Sequence, residues 1–423
     1  MFQKLIYIVI AISVSSCAVQ PYTYEANVDV TSKNQTQYDT TSIPHGVLSQ
    51  GMIERQWNAY KTSSQCLSHN GIESAAIKVL KLSDESLEKN TWNNIFIKTE
   101  KEQSCQIEVS MAKLSPLVAL NPGPNYGDRQ LSIDIANYWL YKQSSLVRYA
   151  RSMEEKVKLK TTILDWAQQN ALNKGIDEPG RKFLDWQITT LIISLLTATG
   201  EVAEDFTPEE RVIVGKWLNQ LMIKVGQQQF QYSSHNKEYL RAYTLLLWAL
   251  MIDDVKLTQK VIDIYKNAIH EMRPDGSFPN DSQRGGMGLD YNSKSASSLV
   301  LIASLLKQKK NIDLFSYEVD GRSIHNAVEH VVFSIKEPSV ANKKYAIRCP
   351  DAGDRWGSVE DPNISHQNKS SGGIAGFLLV YASIFPERDS SKFIENKYGV
   401  RRNLLFSSFG EIAGGAPTCQ FKF

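Results

Sequence analysis

The sequence predicts an all-α body built from antiparallel helix pairs. Three observations carry this. From Asp128 onward, successive segments of about 15 to 25 residues place apolar side chains at helical spacing. Gly, Pro, Asp or Asn punctuate the joins between them. No strand-like run interrupts the series, and 42% apolar residues in a chain of 423 can fill a substantial core.

Taken in order, helices are predicted near 129–150, 153–172, 180–199, 207–228, 237–252, 255–272, 285–308, 322–335 and 370–385. Short connections favour antiparallel neighbours, and pairs of this kind fit an incomplete α/α toroid. A helical solenoid is the competitor, but no repeat of fixed length is visible. From Glu337 the chain is richer in Gly and Pro and is expected to pack extended segments on the body. Ahead of the helices, residues 51–120 read as a small mixed region with two short strands, Asn94–Thr99 and Cys105–Val109. The segment Asn121-Pro122-Gly123-Pro124-Asn125-Tyr126-Gly127 breaks the pattern and suits a loop over a cleft. Residues 121–423 then form the main domain.

The first residues predict export. Lys4 precedes an apolar run from Leu5 to Val14, too short to span a bilayer and suited to a signal segment over residues 1–16. Val14-Ser15-Ser16 stand directly before Cys17, a pattern that resembles the lipobox of bacterial lipoproteins. Cys17 would then carry the lipid, residues 17–50 would be a flexible tether, and Ala18 resembles sorting to the outer membrane. Four cysteines remain, Cys66, Cys105, Cys349 and Cys419, which in an exported chain read as two disulfides. Of three possible pairings the simplest is Cys66–Cys105 with Cys349–Cys419. No Cys/His spacing suggests a metal site, and no cofactor is expected. A net charge of +2 argues against a nucleic-acid partner, and 22% charged residues with 10% aromatics exclude a mostly disordered chain. A monomer is expected.

Two segments place polar residues where a helical core would not need them. One is Ser233-Ser234-His235-Asn236-Lys237-Glu238-Tyr239, just before an apolar helix. The other runs from Arg273 through Asp275-Gly276-Ser277-Phe278-Pro279-Asn280-Asp281-Ser282-Gln283-Arg284 to Tyr291. Arg284 and Tyr291 are seven residues apart, so on one helix they fall about 20° short of two full turns and share a face. A cation and a phenol on one stripe, with Gly285, Gly286 and Gly288 baring the backbone, suit a groove for an anionic chain. The plain alternative is a solvated helix start with Tyr291 at its boundary.

The second segment resembles the motif of the alginate lyase family, whose catalytic domain is an α/α toroid. There a similar loop leads into a helix bearing an arginine and, seven positions on, a tyrosine. The family's upstream motif, Asn-Asn-His-x-Tyr, falls without gaps on His235 to Tyr239. Asn236 and Tyr239 match, while Lys237 stands where the family has histidine. Shifting the frame puts His235 on the histidine but loses the other two. The resemblance covers roughly residues 120 to 335.

It implies cleavage of a uronate polymer by β-elimination. Asn236 and Arg284 would bind the sugar carboxylate, on which charge builds as the C5 proton leaves. Tyr291 would serve as base and acid. A phenol ordinarily ionises well above neutrality, so nearby cations such as Arg284 and Lys237 would need to lower it. Lys237 in place of histidine favours same-face elimination, as on mannuronate, with His235 one position away as a possible assistant. Tyr239, Tyr126, Arg355 and Trp356 are further candidates for substrate contact. Trp139, Trp186 and Trp248 could stack on sugars but more often belong to a core. The alternatives are a lyase for glucuronan or another polyuronate, a domain that has lost activity, and a non-catalytic protein that holds an exported polysaccharide.

Overall fold

The computed structural model describes residues 76–89, 92, 93, 95, most of 136–148, 152–173, 184–228, 235–282, 288–337 and 372–398. All of them belong to one compact unit, Tyr38–Phe423. The helices are α1 Asp84–Lys89, α2 Met153–Gln168, α3 Leu184–Glu201, α4 Pro208–Gln227, α5 His235–Met251 and α6 Val255–Glu271. They continue with α7 Pro279–Ser282, α8 Gly288–Lys310, α9 Ile324–Lys336, α10 Gly372–Ile384 and α11 Asp389–Tyr398. Helical residues also occur within 136–148, and a 3-10 turn spans Ala203–Asp205. Among the described residues there is no strand, only a single bridge between Val319 and Arg322.

Helix boundaries follow from capping. Thr207 opens α4: its hydroxyl accepts from the Glu210 N–H at 3.2 Å, and Glu210 accepts from the Thr207 N–H at 2.8 Å. Pro208 then occupies the first turn, where its missing N–H costs nothing. Asp254 caps α6 by accepting from the Leu257 N–H at 2.9 Å, and Ser152 caps α2 through the Glu155 N–H. The far end of α6 is closed by a side chain instead. Buried Arg322 donates to the carbonyls of His270 at 2.6 Å and Met272 at 3.0 Å, while pairing with Asp320 at 2.7 Å.

The helices lie in two layers, as expected of an incomplete α/α toroid. Helices α3, α5, α8 and α10 are neighbours in turn, α3 on α5, α5 on α8 and α8 on α10. Along much of their length they are buried on every side, most of all in their apolar stretches: Leu245, Leu246, Leu247, Trp248 and Ala249 are all buried in α5, and Leu299 through Ala303 in α8. A helix apolar all round must be covered all round. The cover comes from amphipathic helices: α4 and α6 on α5, α9 on α8, and α11 on α10. Helix α6 shows the stripe, with Leu257, Val261, Ile264, Tyr265 and Ala268 buried and Lys256 exposed.

The core runs through both layers. Trp139 and Trp166 meet edge to face at 5.6 Å, and Trp139 and Trp248 are buried among apolar neighbours. A buried ion pair, Arg148 to Glu201 at 2.6 Å, ties the helical residues of 136–148 to the end of α3. Both expected N-terminal strands fall almost wholly outside the described residues.

Candidate functional site

Asn236 sits in the first turn of α5 and is 1% exposed. Among the described residues, neither its amide nitrogen nor its amide oxygen has a hydrogen-bond partner. Buried amides are nearly always paired, and each lost partner costs about 1–3 kcal/mol. The protein leaves both amide atoms unsatisfied, which is the demand a polar ligand would meet. Lys237, next along, is half-buried. His235 opens the helix, but its side chain lies outside the description.

Two contacts fix this turn. Arg241 and Glu238 pair at 2.6 Å, and the same guanidinium donates to the Gln228 carbonyl, which holds the start of α5 to the end of α4. Tyr239 is buried, with its ring 5.6 Å from that of Phe278. Burial holds the Tyr239 phenol well above its usual pKa, and the Glu271, Asp281 and Glu238 charges push the same way.

Phe278 belongs to the second motif, which folds as a tight turn. The Arg273 N–H donates to the Ser277 carbonyl at 2.9 Å, and the Gly276 N–H to the Arg273 carbonyl at 2.9 Å. Asp275 closes the turn by accepting from the Ser277 N–H at 2.9 Å and its hydroxyl at 2.6 Å. Gly276 has φ +84, and a Cβ there would lie 2.0 Å from the Asn326 carbonyl oxygen, so only glycine fits. After the turn, α7 brings in Asp281, which is fully buried and accepts from the Ser295 hydroxyl at 2.5 Å.

Tyr291 lies in the first turn of α8 and is partly exposed. The Lys294 ammonium stands 5.1 Å from its ring centroid and pairs with Asp290 at 2.7 Å. Helix α8 packs on both α5 and α7. The two sequence motifs therefore meet: the turn that leads to Tyr291 rests on the helix whose first turn holds Asn236. Arg284 falls between α7 and α8, outside the described residues, so its place beside Tyr291 is not part of this geometry.

Two residues here were given no role by the sequence, Arg273 inside the second segment and Asn292 just past its end. Arg273 is buried, and its Nε and Nη2 have no partner among the described residues; burial lowers its pKa while Asp275 opposes that shift. The other is Asn292, whose hydrogen bonds are taken up below. Only their place in or beside the motif could have pointed to either.

A cavity of about 630 Å³ lies between the turn and α9, lined by Asp275, Asn326, Glu329, His330 and Arg388 among others. Asp275 is its only described residue from the two motifs. His325 also lines it, with Nδ1 2.6 Å from the Tyr381 hydroxyl. Burial brings the pKa of both His325 and His330 down to about 4.

Tyr126, Arg355 and Trp356, the lipidation candidate Cys17, and Cys66, Cys105, Cys349 and Cys419 all lie outside the described residues. The side chain of Trp186 does too. Among the described residues no group of three His, Cys, Asp or Glu could hold a metal ion, and no helix is long and apolar enough to cross a membrane.

Residues 163–341 match the family model described as alginate lyase. A search of curated proteins gives no match. Among solved structures, the fold is similar to alginate lyase A1-III from Sphingomonas species A1, at 18% identity and a TM-score of 0.56, over 88% of this chain and 94% of that one. A variant of alginate lyase A1-III complexed with a tetrasaccharide is similar at 18% identity and TM-score 0.56, over 81% and 91% of the two chains. An apo form of the variant gives 17% identity and TM-score 0.55. At such identity the likeness establishes the fold.

Proposed function

We propose that this chain is a polysaccharide lyase that cleaves a β-1,4-linked uronate polymer of the alginate or poly-mannuronate kind by β-elimination. The observation that carries the reading is the Asn236 amide: buried, unpartnered, and set in the first turn of a helix against which the Tyr291 helix packs. It falls inside the span that matches the alginate lyase model, and the tetrasaccharide complex shows that a protein of this fold binds an oligosaccharide.

The chemistry follows from the residue types. Asn236 and Arg284 hold the sugar carboxylate and stabilise the charge that builds as the C5 proton leaves. Tyr291, as phenolate, takes that proton. The electron pair forms the C4–C5 double bond, the C4–O4 bond breaks, and the phenol returns the proton to O4. Taking and returning the proton at one oxygen requires both to lie on one face, so mannuronate linkages are the favoured substrate. Lys237 and His235 assist from the start of α5. Tyr239 is buried against Phe278, and Tyr126, Arg355 and Trp356 contact the polymer. Export with a lipid on Cys17, and disulfides among Cys66, Cys105, Cys349 and Cys419, complete the proposal.

The test is direct. Purified protein is mixed with poly-mannuronate, poly-guluronate and glucuronan, and the ultraviolet absorbance of the unsaturated product is followed. Poly-mannuronate should give the fastest rise, and Tyr291→Phe should abolish it while retaining the polymer. Retention of polymer with no absorbance from the wild type would instead identify a polysaccharide-holding protein.

A further inference from the structure

Asn292 follows Tyr291 on α8 and is 2% exposed. In contrast to Asn236, its amide is fully engaged. Oδ1 accepts from the Phe278 N–H at 2.7 Å, and Nδ2 donates to the Gly288 carbonyl at 2.8 Å and the Ser282 hydroxyl at 3.1 Å. The partners belong to three separate pieces: the exit of the motif turn, the last residue of α7 and the first residue of α8. One planar side chain thus fixes all three at the point where the Tyr291 helix begins. Phe278, held by its backbone to Asn292, is held by its ring to Tyr239, three residues along α5 from Asn236.

We infer that Asn292 is a positioning residue, whose amide sets the Tyr291 phenol relative to the Asn236 amide across two helices. What the positioned phenol does rests on the lyase reading above; the positioning itself does not. No common substitute keeps the arrangement. Alanine leaves the Phe278 N–H buried without its acceptor. Aspartate keeps that acceptor but turns an oxygen, instead of an N–H, toward the Gly288 carbonyl.

The experiment uses the full chain with Asn292→Ala and Asn292→Asp, and Leu306→Ala as a control of lowered stability at the opposite end of α8, where Leu306 is buried. Steady-state kinetics on poly-mannuronate and the fluorine NMR signal of 3-fluorotyrosine placed at position 291 are read together. A misplaced phenol should lower kcat by about 100-fold with KM within about threefold of wild type. Its fluorine resonance should shift and titrate at a different pH, while Leu306→Ala changes neither reading. If both Asn292 variants lose Tm but keep wild-type kcat and resonance, Asn292 is merely structural and the inference fails. A wild type inactive on every polyuronate would overturn the proposed function, and the resonance would still decide the positioning.

Discussion

The ring of Tyr239 lies 5.6 Å from that of Phe278 at an interplanar angle of 59°, joining the helix of one motif to the turn of the other. The contact is sealed, for Phe278 is 1% exposed. Phe278→Ala should therefore cost about 3–5 kcal/mol, the usual loss for a buried ring. Urea unfolding measures this. A cost under about 1 kcal/mol would mean the motifs are held together elsewhere.

Asn236 makes the opposite prediction. Because its amide has no partner among the described residues, Asn236→Ala should change stability by less than about 1 kcal/mol. The same substitution should slow product formation by about 100- to 1,000-fold, as expected when a donor to developing charge is removed. Thermal melts and the absorbance assay on one preparation check both halves. A large loss of Tm would show that the amide serves the fold.

The Arg148–Glu201 pair has side chains 3% and 1% exposed. Arg148→Met strands a buried carboxylate and should cost about 3–5 kcal/mol, whereas Arg148→Met with Glu201→Leu should recover most of it. Equal losses in the single and double variants would contradict this.

Acid should weaken the fold through His325 and His330. Both have folded pKa values of about 4, below the ordinary 6.5, because burial disfavours the charged ring. The unfolded chain therefore binds more protons than the folded chain between those values. Their contribution is complete above pH 6.5, falls as the pH drops toward 4, and is lost below that. A Tm profile should decline through this window, and His330→Phe should flatten it. An unchanged slope in that variant would assign the acid sensitivity to other groups.

Much of the fold was legible because helices of this length repeat their period several times. The predicted 207–228 and 255–272 become Pro208–Gln227 and Val255–Glu271. Short elements offer no period to read: the sequence gives no sign of Asp84–Lys89 or Pro279–Ser282, and Asp389–Tyr398 is helical where extended segments were expected. The helix expected to begin near Arg284 is described from Gly288, with α7 standing just before it. In the site, residue types were legible but their partners were not. Asn236 and Asn292 are the same residue type; one is unpartnered among the described residues and the other is a three-way clamp. Only tertiary packing makes that difference.

Helix α8 touches α5 and α7, which precede or adjoin it, and α9 and α10, which follow. A chain still being synthesised cannot bury α5 until some sixty further residues have emerged, since α8 supplies its inner neighbour. Sealing of the apolar interior and docking of the Tyr291 helix on α5 are consequently one event. Truncated or half-made molecules should be inert, and proteolysis within α8 should extinguish the whole structure at once.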